Sequence, residues 1–163
     1  LAGVECSIGE DGTLDAGNTA LQDLDVVLAG VHSGFRMPEN EMTQRMLTAM
    51  QNEYLDIIVH PTGRILQQRE PVDLDLAVFF RTAAEHHVVL EINGFQNRLD
   101  LPDINCMKAR EYAVRFAIGT DAYTRNSMGA MEFGIATARR GWLEAKDIIN
   151  TLPIRDLRMV LGS

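Results

Sequence analysis

A chain of 163 residues, 46% of them apolar, is long enough for one domain with a real core and too short for two ordinary ones. Its net charge of −8 argues against a surface that grips nucleic acid by itself, because neutralising phosphates takes Lys and Arg, but leaves room for hydrolysis of nucleic acid at bound cations. No run approaches the roughly 20 apolar residues of a membrane span, no signal peptide is legible, and two cysteines without CxxC spacing, Cys6 and Cys106, point to a reducing cytoplasm rather than a disulfide framework.

Five short runs rich in Val, Ile or Leu read as buried strands, at 1–4, 25–31, 55–59, 88–92 and 115–118. After the first, Gly9-Glu10-Asp11-Gly12 reads as a turn, with little room for a long helix before Asp25. The next gap predicts a helix over 39–51, with Met42, Met46, Leu47 and Met50 on one face, most simply a core stripe. Asp73 suits the N-cap of a helix carrying Leu76, Phe79, Phe80, Ala83 and Ala84. His86-His87 falls at its end, facing solvent or the last carbonyls. Helices are expected over 103–114 and 127–139, the latter stopped by Gly141, and another from Trp142-Leu143 to near Asn150. Pro153 fits the first turn of a last helix, 154–161. Strands alternating with helices imply parallel pairing with right-handed crossovers, in an open α/β sheet or part of a barrel. No Gly-rich phosphate loop follows a strand, which disfavours dinucleotide and P-loop folds.

The chemistry collects at the strand ends. The five runs lead into Glu5, His32, His60, Glu91-Ile92-Asn93 and Asp121 in turn. In β/α barrels the C-terminal ends of the strands carry the active site, because the βα loops converge there. Two imidazoles and two carboxylates from separate strands, His32, His60, Glu5 and Asp121, suit divalent cations such as Zn, Fe or Mn. Paired cations can activate water and stabilise the leaving oxygen of a phosphate ester. A lone His after an apolar run is usually a packed or capping residue; two His and two acids at one relative position favour a metal site. Arg64 and Arg36 each closely follow a candidate ligand and suit substrate phosphate, with surface salt-bridging as the alternative. Asn93 either lines the site or caps a helix. There is no GxSxG, and neither cysteine has a nearby activating histidine, so no nucleophilic triad is read.

The segments Gly3-Val4-Glu5, Ala29-Gly30-Val31-His32-Ser33, His60-Pro61-Thr62-Gly63-Arg64, Leu90-Glu91-Ile92-Asn93 and Gly119-Thr120-Asp121-Ala122 resemble successive motifs of the PHP (polymerase and histidinol phosphatase) domain of bacterial and archaeal family X DNA polymerases. The tail Arg139-Arg140-Gly141-Trp142-Leu143, followed by Asn150-Thr151-Leu152-Pro153, is similar to the end of those polymerases. The resemblance implies a distorted β/α barrel, of which 1–163 would form a single domain with about five of seven βα units. It also implies Mn-dependent phosphoesterase chemistry on DNA ends, chiefly 3′–5′ exonuclease action in repair. By motif, Glu5 would be a bridging carboxylate, and His32, His60 and Asp121 further metal ligands.

Two departures follow. The family's first two strands, with an opening His-x-His, an Asp and another His, are expected to be missing from a fragment. Tyr123 also stands where the family has His, and phenol, with a pKa near 10, is a poor ligand at neutral pH. The incomplete barrel would expose an edge at 1–4 and invite another chain, an upstream segment or a second copy. Expected partners are therefore DNA through a parent polymerase, the upstream polymerase segment and a homo-oligomer, with no membrane. The isolated chain is expected to be weakly active or inactive. The alternatives are a catalytically decayed module that braces or regulates the polymerase, and a small-molecule phosphatase of the histidinol phosphatase type.

Overall fold

The computed structural model describes residues 1–162. In chain order the elements are β1 (Gly3–Ser7), α1 (Asn18–Leu21), β2 (Val26–Gly30), α2 (Glu39–Met50), β3 (Ile57–Ile58), α3 (Leu76–Glu85), β4 (Val89–Asn93), α4 (Asp103–Arg110), β5 (Phe116–Gly119), α5 (Met131–Arg140) and α6 (Ile154–Val160). The strands form one parallel sheet in the order β1-β2-β3-β4-β5. The architecture is an open α/β sheet, consistent with an incomplete β/α barrel. No helix among the described residues is long and apolar enough to cross a membrane.

Alternation along each strand divides the sheet into two faces. Cys6, Val27, Ala29, Ile58, Leu90, Ile92, Phe116 and Ile118 point to the outer face and join one large core. There they meet Met42, Met46 and Met50 of α2, Phe79, Phe80 and Ala83 of α3, and Cys106 and Ala109 of α4. The Met stripe is core, as its spacing predicts. Ile57, Val59 and Val89 point to the inner face, where Ile149, Leu152, Leu157 and Leu161 of the C-terminal segment cover them in a second, smaller cluster.

The two sheet edges are finished differently. Outside β5, the Asn150 side chain imitates a strand: its Oδ1 accepts the Ile118 N–H (2.7 Å) and its Nδ2 donates to the Ile118 carbonyl (3.1 Å). On β1, only the C-terminal tip is covered. Asp15 accepts the Ser7 N–H (2.9 Å) and returns its own N–H to the Ser7 carbonyl (3.1 Å). Among the described residues no further strand pairs with β1.

Several sequence expectations shift. The first strand runs through Glu5 to Ser7 instead of ending at Val4, because Cys6 still pairs with β2 and buries its side chain in the outer core. Asp75, not Asp73, caps α3, accepting from the Ala77 and Val78 N–H groups (both 3.1 Å). The 103–114 helix stops at Arg110, and Ala113 turns the chain toward β5 with φ 60°. The start of the 127–139 helix winds as a 3-10 helix, Asn126–Ala130, before α5. The helix expected to end near Asn150 is two 3-10 turns, Ala145–Asp147 and Ile149–Thr151. A capping box between Glu144 and Asp147 fixes the first of them.

Candidate metal centre at the strand ends

Strand geometry puts Glu5 on the inner face in the middle of β1, two residues before Ser7 on the same face. His32 lies just beyond β2 and His60 just beyond β3. One ligand atom from each of Glu5, His32 and His60 lies within 4.8 Å of the others. Glu5 Oε1 is 3.1 Å from His32 Nε2 and 3.4 Å from His60 Nε2. The two rings meet edge to face, with centroids 5.3 Å apart.

The surroundings hold these groups in place. Ser7 Oγ lies 2.9 Å from His32 Nδ1. With Nδ1 donating to that hydroxyl, Nε2 keeps the lone pair that a metal requires. Arg45, only 1% exposed, braces the loop that carries His32 by donating to the carbonyls of Ser33 and Ile8. Glu91 accepts the His60 main-chain N–H (2.7 Å), and Asp100 accepts both the Thr62 N–H (3.0 Å) and the Thr62 hydroxyl (2.9 Å). Gly30 leaves room for the His60 ring; a Cβ there would lie 2.6 Å from its Cε1. At Gly119 a Cβ would collide with the Glu91 carboxylate.

The electrostatics divide the carboxylates. The His60 hydrogen bond does most to hold the Glu5 carboxyl below its usual value, opposed by partial burial and helped by His32. Burial pushes the Glu91 carboxyl up to about 7, against the His60 N–H and the Asn93 amide. It pushes Asp100 up as well, against the hydrogen bond from Thr62.

Asp121 stands outside the close cluster. At φ 50° it turns its Oδ2 to Arg98 Nε (3.2 Å) and Asn93 Nδ2 (3.4 Å). Asn93 also reaches Glu91 Oε2 (3.3 Å), so Asp121 connects to His60 through Asn93 and Glu91. Asn93 is buried and uses its Oδ1 on the Phe95 N–H (2.9 Å), a bridging position inside the wall of the site. Arg64 donates to the carbonyls of Arg98 and Leu99, tying the loop after β3 to the loop after β4. Arg36 is exposed. His86 and His87 are exposed at the end of α3, far in sequence from the candidate ligands.

The donor set fits a divalent cation. It combines two imidazoles with a carboxylate held ionised, and the His60 Nδ1 is buried with no hydrogen-bond partner among the described residues. The sequence reading noted Glu91 but gave it no role, and it overlooked Ser7, Arg45, Arg98 and Asp100. Glu91 carried a positional signal as the one charged residue inside the fourth apolar run, 88–92. The other four carried none, because their partners lie 12–38 residues away.

The fold and cluster define an α/β module with a candidate metal centre at its strand ends, and the resemblance to the PHP domain of family X DNA polymerases is borne out along nearly the whole chain. The chain is 38% identical over 161 residues to the DNA polymerase/3′-5′ exonuclease PolX of Bacillus subtilis, covering 99% of this chain and 28% of that protein. It is 30% identical over 161 residues to a probable phosphatase of Thermoanaerobacter sp., covering 93% of this chain and 63% of the relative. A probable phosphatase of Tolumonas auensis is 30% identical over 163 residues, with shares of 94% and 63%. The chain thus spans between about a quarter and two thirds of the length of these relatives. No family model matches it.

Proposed function

We propose that residues 1–163 form one metal-dependent phosphoesterase module that hydrolyses DNA phosphodiesters or 3′-phosphoryl ends, in the manner of a 3′–5′ exonuclease serving repair. The observation that carries this reading is the convergence of Glu5, His32 and His60 from three strands. Mn or Zn, with Fe as a further candidate, would be held by these three residues and by Asp121 released from Arg98. A bound cation would supply positive charge at the phosphate oxygens and a more acidic water.

The chain's own residues prepare that site. His32 is oriented by Ser7, and Glu5 is kept ionised beside both rings. Glu91 and Asp100 lock the 60–63 loop so that His60 cannot swing away. Arg36, exposed four residues beyond His32, would contact substrate phosphate. Arg64 and Asn93 would contribute by fixing loops rather than by touching substrate. DNA would arrive through an attached polymerase, as the name of the Bacillus relative suggests. Two free, buried thiols, Cys6 and Cys106, suit a reducing cytoplasm.

Two other readings have support. Tyr123, 91% exposed where the PHP pattern has a ligand His, favours a decayed module that braces a polymerase. The probable phosphatases favour a small phosphate ester as substrate. One experiment separates the three: bound Mn and Zn measured after dialysis, beside hydrolysis of a 3′-labelled oligonucleotide, a 3′-phosphorylated oligonucleotide and histidinol phosphate. Metal lost in His32→Ala and His60→Ala, with hydrolysis of a DNA end, is the expected result. No specific metal and no hydrolysis would leave the bracing role, and turnover of histidinol phosphate alone would indicate the small-molecule phosphatase.

A further inference from the structure

Arg98 and Asp121 come from the loops after β4 and β5 and meet beside the strand-end cluster. Arg98 Nε lies 3.2 Å from Asp121 Oδ2, with the two side chains only 18% and 20% exposed. Shielded in this way, the pair is screened less than a surface pair such as Arg140 with Asp103. The backbone at Arg98 is held independently of the pair. Its N–H donates to the Phe95 carbonyl (2.8 Å), and its carbonyl accepts from Arg64 Nε (2.8 Å). Only the Arg98 side chain is left to exchange partners.

The pair leaves Arg98 incompletely matched. Its Nη1 is buried and makes no hydrogen bond among the described residues, a cost that a fully satisfied guanidinium would not carry. Asp121 is also near enough to the cluster for its charge to be felt there: burial does most to raise the Glu91 carboxyl, and the Asp121 charge adds to the rise. One amide spans the gap. Asn93 Nδ2 is 3.4 Å from Asp121 Oδ2 and 3.3 Å from Glu91 Oε2, the oxygen that accepts the His60 N–H. Beside Glu5, His32 and His60 there is thus a further carboxylate, and a guanidinium already neutralises it.

We propose that Arg98 competes with a divalent cation for Asp121, and so holds the affinity of the cluster for metal below what its carboxylates and imidazoles alone would give. This rests on the metal-centre reading of Glu5, His32 and His60 and adds an internal antagonist to it. With Asp121 engaged by Arg98 the cluster offers a cation three ligands; with Asp121 released it offers four. The measured affinity is scaled by the fraction of molecules in the released arrangement. Arg98 is a positioning residue that acts through Asp121.

The test is Mn binding, read as loss of the free-ion electron paramagnetic resonance signal, so that no turnover is needed. Arg98→Met should bind Mn about tenfold more tightly than wild type, the order that release of one charge-assisted hydrogen bond supports. Arg98→Lys, which keeps the charge, should gain much less. The gain should require the carboxylate: Arg98→Met combined with Asp121→Asn should bind no more tightly than Asp121→Asn alone. That comparison separates competition for Asp121 from the mere removal of a positive charge, which would strengthen binding whatever stands at 121. Urea unfolding reports whether each variant is folded, and Arg98→Gln, with the same expected sign, replaces Arg98→Met if the apolar side chain is not tolerated. Equal or weaker Mn binding by Arg98→Met, a gain that survives in the double variant, or no Mn binding by any variant would overturn the proposal. Mn binding that is lost in His60→Ala but not strengthened in Arg98→Met would overturn this inference and leave the metal-centre reading standing.

Discussion

The two faces of the sheet are made from the same five strands and do different work. The outer face is an unbroken apolar layer under α2, α3 and α4. The inner face is split: its lower part is a small apolar cluster under the C-terminal segment, and its upper rim carries Glu5, Glu91 and the histidines. The difference shows how alternation lets neighbouring residues serve opposite ends. Cys6 stabilises while Glu5 and Ser7 build a site; Leu90 and Ile92 stabilise while Glu91 and Asn93 support it.

The sharpest way to break that contrast is to open a hole in the outer face. Phe80→Ala, in the middle of the large core, should destabilise by about 3–5 kcal/mol, read by urea unfolding. Leu161→Ala, in the smaller inner cluster near the chain end, should cost nearer to about 2 kcal/mol. Equal losses would mean that the two faces share one cooperative core. At the rim, His60→Ala should lower Mn or Zn affinity on the order of 100-fold, about 2.7 kcal/mol, as measured by titration against a competing chelator. Unchanged affinity would show that the three-residue cluster is not the metal centre.

Smaller effects probe the borders between the faces. Asn150→Ala removes the imitation strand from β5 and leaves the Ile118 N–H and carbonyl without that partner; a loss of about 1–2 kcal/mol is expected by the same unfolding measurement. The smallest effect is at the foot of the sheet. Asp56 accepts the Val27 N–H (2.7 Å), yet burial pushes its carboxyl up to about 6. The folded state therefore holds that proton more tightly than the unfolded chain. The resulting stabilisation is fully present below about pH 4, falls as pH rises through about 6, and is then gone. Asp56→Asn, which keeps an acceptor for Val27, should flatten that part of the stability–pH curve. An unchanged slope between pH 4 and 6 would assign it to other groups.

Much of this was legible in the chain. The apolar runs located all five strands, and the Met42, Met46, Met50 stripe correctly marked a core face. Polar residues after those runs pointed to His32 and His60 as neighbours across the sheet. Short-range detail was less secure. Asp73 and Asp75 are both plausible caps by type, and only the position of Thr43, whose hydroxyl accepts the Asp75 N–H (3.0 Å), helps fix the choice. The 143–150 segment has helical composition, but its neighbours favour short turns that let Asn150 reach β5.

The sequence by itself determined the parallel α/β class, the outer core and the rim on which chemistry collects, because strand alternation and helical spacing are local periodicities that burial must satisfy. Only the tertiary structure decided which rim residues meet. It joined Glu5 to His32 and His60, turned Asp121 toward Arg98, engaged Arg64 on loop carbonyls and left Tyr123 in solvent. Those outcomes depend on strand register, loop conformation and partners tens of residues away, and a short window of sequence carries no trace of them.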